Sequence, residues 1–98
     1  MTMPKFPLGR TLITRGVQRV LDDPTDLRLS YALLSELFHR HQAGDWGEVD
    51  EHDRQENELS IREGFRLMSV YTLPSGVKLW VITEADRSAT TALLPEEY

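Results

Sequence analysis

Ninety-eight residues, 40% of them hydrophobic and 28% charged, describe one domain (residues 1–98), since so short a chain cannot build two independent cores. The absence of cysteine removes disulfides, thiolate catalysis and cysteine-ligated zinc together. No apolar run approaches the roughly 20 residues that cross a bilayer, and a cytoplasmic protein of ordinary globular composition is expected. The formal charge of -5 is unevenly spread. Residues 1–44 carry six basic and four acidic side chains, residues 45–63 two and eight, and residues 64–98 three and four. An acidic middle argues against binding a phosphate backbone, which needs clustered Lys and Arg. It leaves open a basic protein partner, because complementary fields steer association. A solvated helix face would carry the same charge.

Met1-Thr2-Met3-Pro4-Lys5-Phe6-Pro7 lacks the apolar core of a secretory signal and is expected to be flexible. Leu8 to Thr14 reads as a short strand. Thr14 then caps a short helix through Val17, Val20 and Leu21. Asp22-Asp23-Pro24-Thr25 ends it, since proline disfavours a helical residue before it. Thr25 or Asp26 is expected to cap a second helix whose apolar stripe is Leu27, Tyr31, Leu34, Phe38 and His41, widened by Leu37. Gly44 suits the left-handed position that stops such a helix. A turn at Asp45-Trp46-Gly47 leads to a third helix over about Asp50 to Glu63. Its support is mostly the pairs Glu51–Arg54 and Glu58–Arg62, and its first half should be exposed. Only Val49, Leu59 and Ile61 offer it an apolar grip, and Gly64 ends it.

The remainder follows the period of two that marks strands. Phe65, Leu67, Ser69, Tyr71 and Leu73 fall on one face, and Arg66, Met68, Val70 and Thr72 on the other. After Pro74-Ser75-Gly76, the run Val77 to Thr83 is apolar on both faces and belongs in a sheet interior. Ala89 to Leu94 supplies a third strand, which Pro95 stops because it has no N–H for a ladder. The expected fold is α+β: a short N-terminal strand and two to three helices on one face of a three- to four-stranded antiparallel meander sheet.

Little in the chain reads as catalytic equipment. His39 and His41, two apart on a helix, point about 200° away from each other and cannot share an ion. With His52 across a loop, no metal site is expected, and no cofactor. There is no Gly-x-Ser-x-Gly elbow and no phosphate-cradling glycine loop. The polar corner from Thr83 to Thr91 brings carboxylates (Glu84, Asp86), a guanidinium (Arg87) and hydroxyls together. With His41 they could cleave RNA by general acid–base chemistry. The same residues also suit a braced turn, with Asp86 capping it and Arg87 paired to Glu84 or Asp86. His41 is expected to hold the Asp45-Trp46-Gly47 junction, and Trp46 to plug the core.

His41-x-x-Gly44-Asp45-Trp46-Gly47, Asn57-Glu58 and the block from Trp80 to Ser88 with Thr90-Thr91 and Leu93 to Tyr98 resemble a group of small, largely uncharacterised bacterial proteins. That group is carried on plasmids, prophages and integrative elements. The resemblance marks His41, Trp46, Asp86 and Arg87 as a structural signature. The group has no agreed activity; together with the small size, the lack of a catalytic motif and the carboxylates between Asp45 and Glu63, the resemblance leads to the expectation of a non-enzymatic mobile-element protein that inhibits a host nucleic-acid-targeting defence complex (CRISPR or restriction). The expected partner is a basic protein surface, met by Asp45, Glu48, Asp50, Glu51, Asp53 and Glu56, with neither direct nucleic-acid contact nor membrane. A homodimer is also allowed. The alternative reading is a metal-independent ribonuclease, because the order of helices before a sheet is similar to the barnase and RelE type. It would use His41, Glu84, Asp86 and Arg87.

Overall fold

The structure is a computed structural model that describes residues 3–26 and 28–98. In chain order it contains β1 (Arg10–Ile13), α1 (Arg15–Asp22), α2 (Tyr31–Gln42), α3 (Glu51–Glu63), β2 (Leu67–Thr72), β3 (Lys78–Thr83), β4 (Ala89–Leu93) and a 3-10 turn, Pro95–Glu97. The expected α+β class holds, and β3 lies between β2 and β4 in antiparallel register. The sheet is mixed, however, with the order β1-β4-β3-β2 and β1 parallel to β4. A purely antiparallel meander is therefore corrected. Parallel pairing needs a long crossover, and here three helices and two strands supply it, which no local pattern reveals.

Each helix is set by its ends. Thr14 accepts from Val17 N–H to begin α1, Ser30 from Leu33 N–H to begin α2, and Asp50 from Asp53 N–H to begin α3. Each cap satisfies one of the donors that an initial turn leaves unpaired. The second helix thus starts five residues later than Thr25 or four later than Asp26. Asp26 instead accepts from the Arg28 backbone and guanidinium, while Thr25 is tied to Asp23. Gly44 and Gly64 stand in the left-handed region just past α2 and at the end of α3. Leu27, expected on the α2 stripe, lies outside the described residues, as do Met1 and Thr2 of the start.

One face of the sheet carries Leu67, Ser69, Tyr71, Leu79, Val81, Thr83, Thr90 and Ala92, all buried. Val17 and Val20 of α1 and Leu34, Leu37 and Phe38 of α2 pack onto it. Full burial of such side chains stabilises by about 1.5–3 kcal/mol each. Two expected face residues do not join them: Tyr31 and Phe65 are both exposed. Tyr31 is the first residue of α2, where its hydroxyl accepts from Gln18 of α1, and Phe65 precedes the strand. Phe6, Trp46 and Leu67 form a second cluster with Val49 and Ile61 against it. Phe6 is therefore buried, and Lys5 N–H is bonded to Gln42 O. That part of the start is thereby tied to the end of α2.

The outer edge of β2 is covered at Met68 and Val70 by side chain and loop. Asn57 exchanges two hydrogen bonds with the backbone of Met68, and Val70 bonds Trp46 O and Glu48 N. Gly47 makes the loop's approach possible: its φ is 72°, and a Cβ there would lie 2.0 Å from Val70 O.

Candidate functional site

The polar corner is built on the tight β3–β4 connection, where Arg87 holds the left-handed φ of 62°. Asp86 accepts from Ser88 N–H at 2.9 Å, and the hydrogen bonds from Ser88 hold its carboxyl below the usual range. This is the turn cap expected of it. Arg87 does not pair with Glu84 or Asp86. Its guanidinium donates to four carbonyl oxygens: Phe65 at 2.6 Å, Ser60 at 2.7 Å, and Glu84 and Ala85 at 3.2 Å each. It also lies over the Phe6 ring. The cation therefore sits at the negative end of α3 and locks helix, strand and turn together. Burial lowers its pKa.

Below that corner runs a buried polar chain. Thr90 Oγ1 donates to Leu8 O at 2.7 Å and lies 2.7 Å from Thr83 Oγ1. Thr83 Oγ1 is 2.9 Å from His41 Nε2, and His41 Nδ1 is 2.5 Å from Ser69 Oγ. A carbonyl can only accept, so each hydroxyl's role follows in turn. Thr90 donates to Leu8, Thr83 to Thr90 and His41 Nε2–H to Thr83. That leaves Nδ1 bare to accept the Ser69 hydroxyl. The ring is fully buried, edge-on to Phe6 at 5.3 Å and to Trp46 at 5.6 Å. Desolvation first, and then the charge of Arg87, lower its pKa to about 3.

The four residues of the ribonuclease reading are consequently not brought together. His41 faces the core with both nitrogens engaged. Arg87 is bound to backbone, while Glu84 and Asp86 point to solvent. General acid–base work needs a group within reach of its proton acceptor or donor, and solvent does not reach His41. Trp46 is buried as expected, and its indole N–H donates to Glu58 at 3.0 Å. That contact replaces the expected Glu58–Arg62 pair. His41 touches Trp46 but fixes the sheet rather than the loop.

The six acidic candidates divide into two kinds. Asp45 pairs with Arg40 at 2.8 Å, Glu48 with Lys78 at 2.7 Å and Glu51 with Arg54 at 2.6 Å. Glu48 also accepts from Thr72. These pairings hold all three carboxyls below their ordinary pKa, with Glu51 at about 2. Asp50, Asp53 and Glu56 make no ion pair with Lys or Arg among the described residues; Glu56 lies 3.7 Å from His52. All three are exposed, and spacing of three places them along one side of α3.

Three structural residues escaped the sequence reading. Ser69 reads only as a strand position, Asn57 as a motif letter, and Glu97 as part of the block that ends in Tyr98. Glu97 in fact accepts from Gly16 N–H at 2.9 Å, Leu94 N–H at 3.0 Å and the Thr14 hydroxyl at 2.5 Å. Asn57 and Ser69 had a signal: a polar residue on an otherwise apolar face must find a partner when buried.

Among the described residues no three His, Asp or Glu side chains come close enough to hold a metal ion. No helix among them is long and apolar enough to cross a membrane. A shallow groove of about 770 Å³ runs between Pro4 and the outer side of α2, lined by Ala32, Glu36 and His39, and holds none of the sequence-derived site residues. No protein-family model, no curated protein and no solved structure matches this chain.

Proposed function

We propose that this chain is a non-enzymatic mobile-element protein that inhibits a host nucleic-acid-targeting defence complex, of the CRISPR or restriction kind, through protein–protein contact. The observation that carries this reading is the ridge of Asp50, Asp53 and Glu56, exposed and without a Lys or Arg in ion-pair range among the described residues. A surface that receives phosphates in a defence complex presents Lys and Arg, and a row of exposed carboxylates that no Lys or Arg offsets is complementary to it. Asp45, Glu48 and Glu51 extend the negative field, but their own cations already neutralise them locally. The buried condition of His41 leaves the polar corner without the histidine that acid–base cleavage of RNA would pair with a carboxylate, which favours binding.

The test is an interference assay in cells that carry a CRISPR or restriction system and are challenged with targeted DNA. Expression of the chain should raise survival of that DNA. The triple variant Asp50→Asn, Asp53→Lys, Glu56→Lys keeps the helix cap, since asparagine caps as well as aspartate, and should abolish the protection. No protection against any such system would sink the anti-defence reading. Equal protection by the folded triple variant would remove the ridge as its contact.

A further inference from the structure

The molecule covers one edge of its sheet except at the terminal Thr72 and leaves the other open. At β2 the outward backbone groups of Met68 and Val70 are all bonded, by Asn57, Trp46 and Glu48. At β1 they are not. Arg10 N–H donates to Ser88 O at 3.0 Å and Thr14 N–H to Ala92 O at 3.2 Å. Even-numbered residues therefore face β4, and Thr11 and Ile13 turn their N–H and C=O groups outward. Among the described residues, neither makes a backbone bond beyond the strand pairing. An edge of this kind is a template for another strand.

We infer that the occupant of this edge is a second copy of the chain, paired antiparallel about a two-fold axis through Leu12. The register follows from the outward groups. In an antiparallel pair, residues that exchange two hydrogen bonds alternate with residues that exchange none. Centring on Leu12 sets Thr11 against Ile13 of the second copy, and Ile13 against its Thr11. Each such pair exchanges two bonds, so all the open groups are satisfied. A centre at Ile13 would set Thr11 against Arg15 of α1, and a centre at Thr11 would set Ile13 against Gly9, whose φ of 65° departs from a strand.

Side chains agree with the same axis. Leu12 is exposed and lies on the sheet face away from the helices, in register with Thr91, on the face that carries Trp80 and Leu93. The two leucines would meet across the axis and extend that apolar face from one copy to the next. Arg10, which makes no ion pair among the described residues, would stand opposite Thr14 of the second copy. That threonine carries the Glu97 carboxylate on its hydroxyl. The arginine of each copy is thus directed to a carboxylate of the other, while the two arginines stay roughly 13 Å apart, beyond a Debye length at physiological salt. Such an isologous contact closes on itself and does not propagate.

Sedimentation equilibrium over a range of concentrations, with amide exchange by NMR, tests the inference. The full chain should shift from 11.3 kDa towards twice that mass as concentration rises. The amides of Thr11 and Ile13 should become protected over the same range. Thr11→Pro removes an outward N–H that the monomer does not use, and Leu12→Lys opposes two like charges on the axis. Both folded variants should remain monomeric at every concentration. A wild-type chain that stays at 11.3 kDa throughout would overturn the inference. So would a dimer that survives Leu12→Lys, or protection that does not change at Thr11 and Ile13.

Discussion

The side chain of Asn57 pairs with Met68 as the backbone of a strand would, donating to its carbonyl at 2.8 Å and accepting from its N–H at 3.1 Å. A helix residue thereby finishes a sheet edge. Only an amide of this length has one donor and one acceptor in the right places.

Asn57→Leu should cost about 2–3 kcal/mol, because it leaves two backbone groups of Met68 unpaired in a covered place. Asn57→Asp should be no better, since a carboxylate cannot donate to the Met68 carbonyl. Urea unfolding checks both, with a fall in midpoint and an unchanged slope.

Protonating His41 should unfold the molecule gradually in acid. Its folded pKa of about 3 lies below the ordinary 6.5, so the unfolded chain binds the extra proton between those values. The stability tied to the neutral ring is fully present above about pH 6.5 and is lost as pH falls towards about 3. The loss approaches about 1.4 kcal/mol per pH unit. Denaturation of His41→Phe across pH 7 to 5 should lack this slope although the variant is less stable at neutral pH. An unchanged slope would mean that other groups carry the acid sensitivity.

Arg87 combines an unfavourable backbone with a favourable side chain. Arg87→Ala should lose about 2–4 kcal/mol through the carbonyls of Ser60 and Phe65. Arg87→Gly should recover about 1 kcal/mol of that loss, because glycine relieves the left-handed φ. Arg87→Lys should not rescue, since one ammonium cannot reach carbonyls on a helix, a strand and a turn. Thermal melts of the three variants check the order. Added salt should change the wild-type midpoint little at this contact, which contains no carboxylate.

How far the sequence discloses all this depends on the range of the interaction. The third helix, with its start near Asp50 and its Gly64 stop, is local and could be read directly, as could β3 with its two apolar faces. The start of α2 was misread because Asp26 found Arg28 two residues away, leaving Ser30 to cap. The parallel β1–β4 pairing joins residues some 79 positions apart (Arg10 with Ala89) and leaves no periodic trace. For the candidate site, the charge map pointed to the acidic segment, but it could not separate carboxylates with cations nearby from Asp50, Asp53 and Glu56. The Thr83–Thr91 corner was recognisable as a cluster. That its arginine serves carbonyls depends on where Ser60 and Phe65 end up in space.

The pairing of β1 with β4 also sets an order of events. Residues 67–93 hold three consecutive antiparallel strands with short connections, which close small loops and can form quickly. The first strand made is the last that can be placed, because its partner follows nearly the whole chain. During synthesis, Arg10 to Ile13 must wait with both edges open until Ala89 to Leu93 has emerged. Refolding should accordingly show the β2–β3–β4 amides protected before those of β1, and removal of the final strand should release the first.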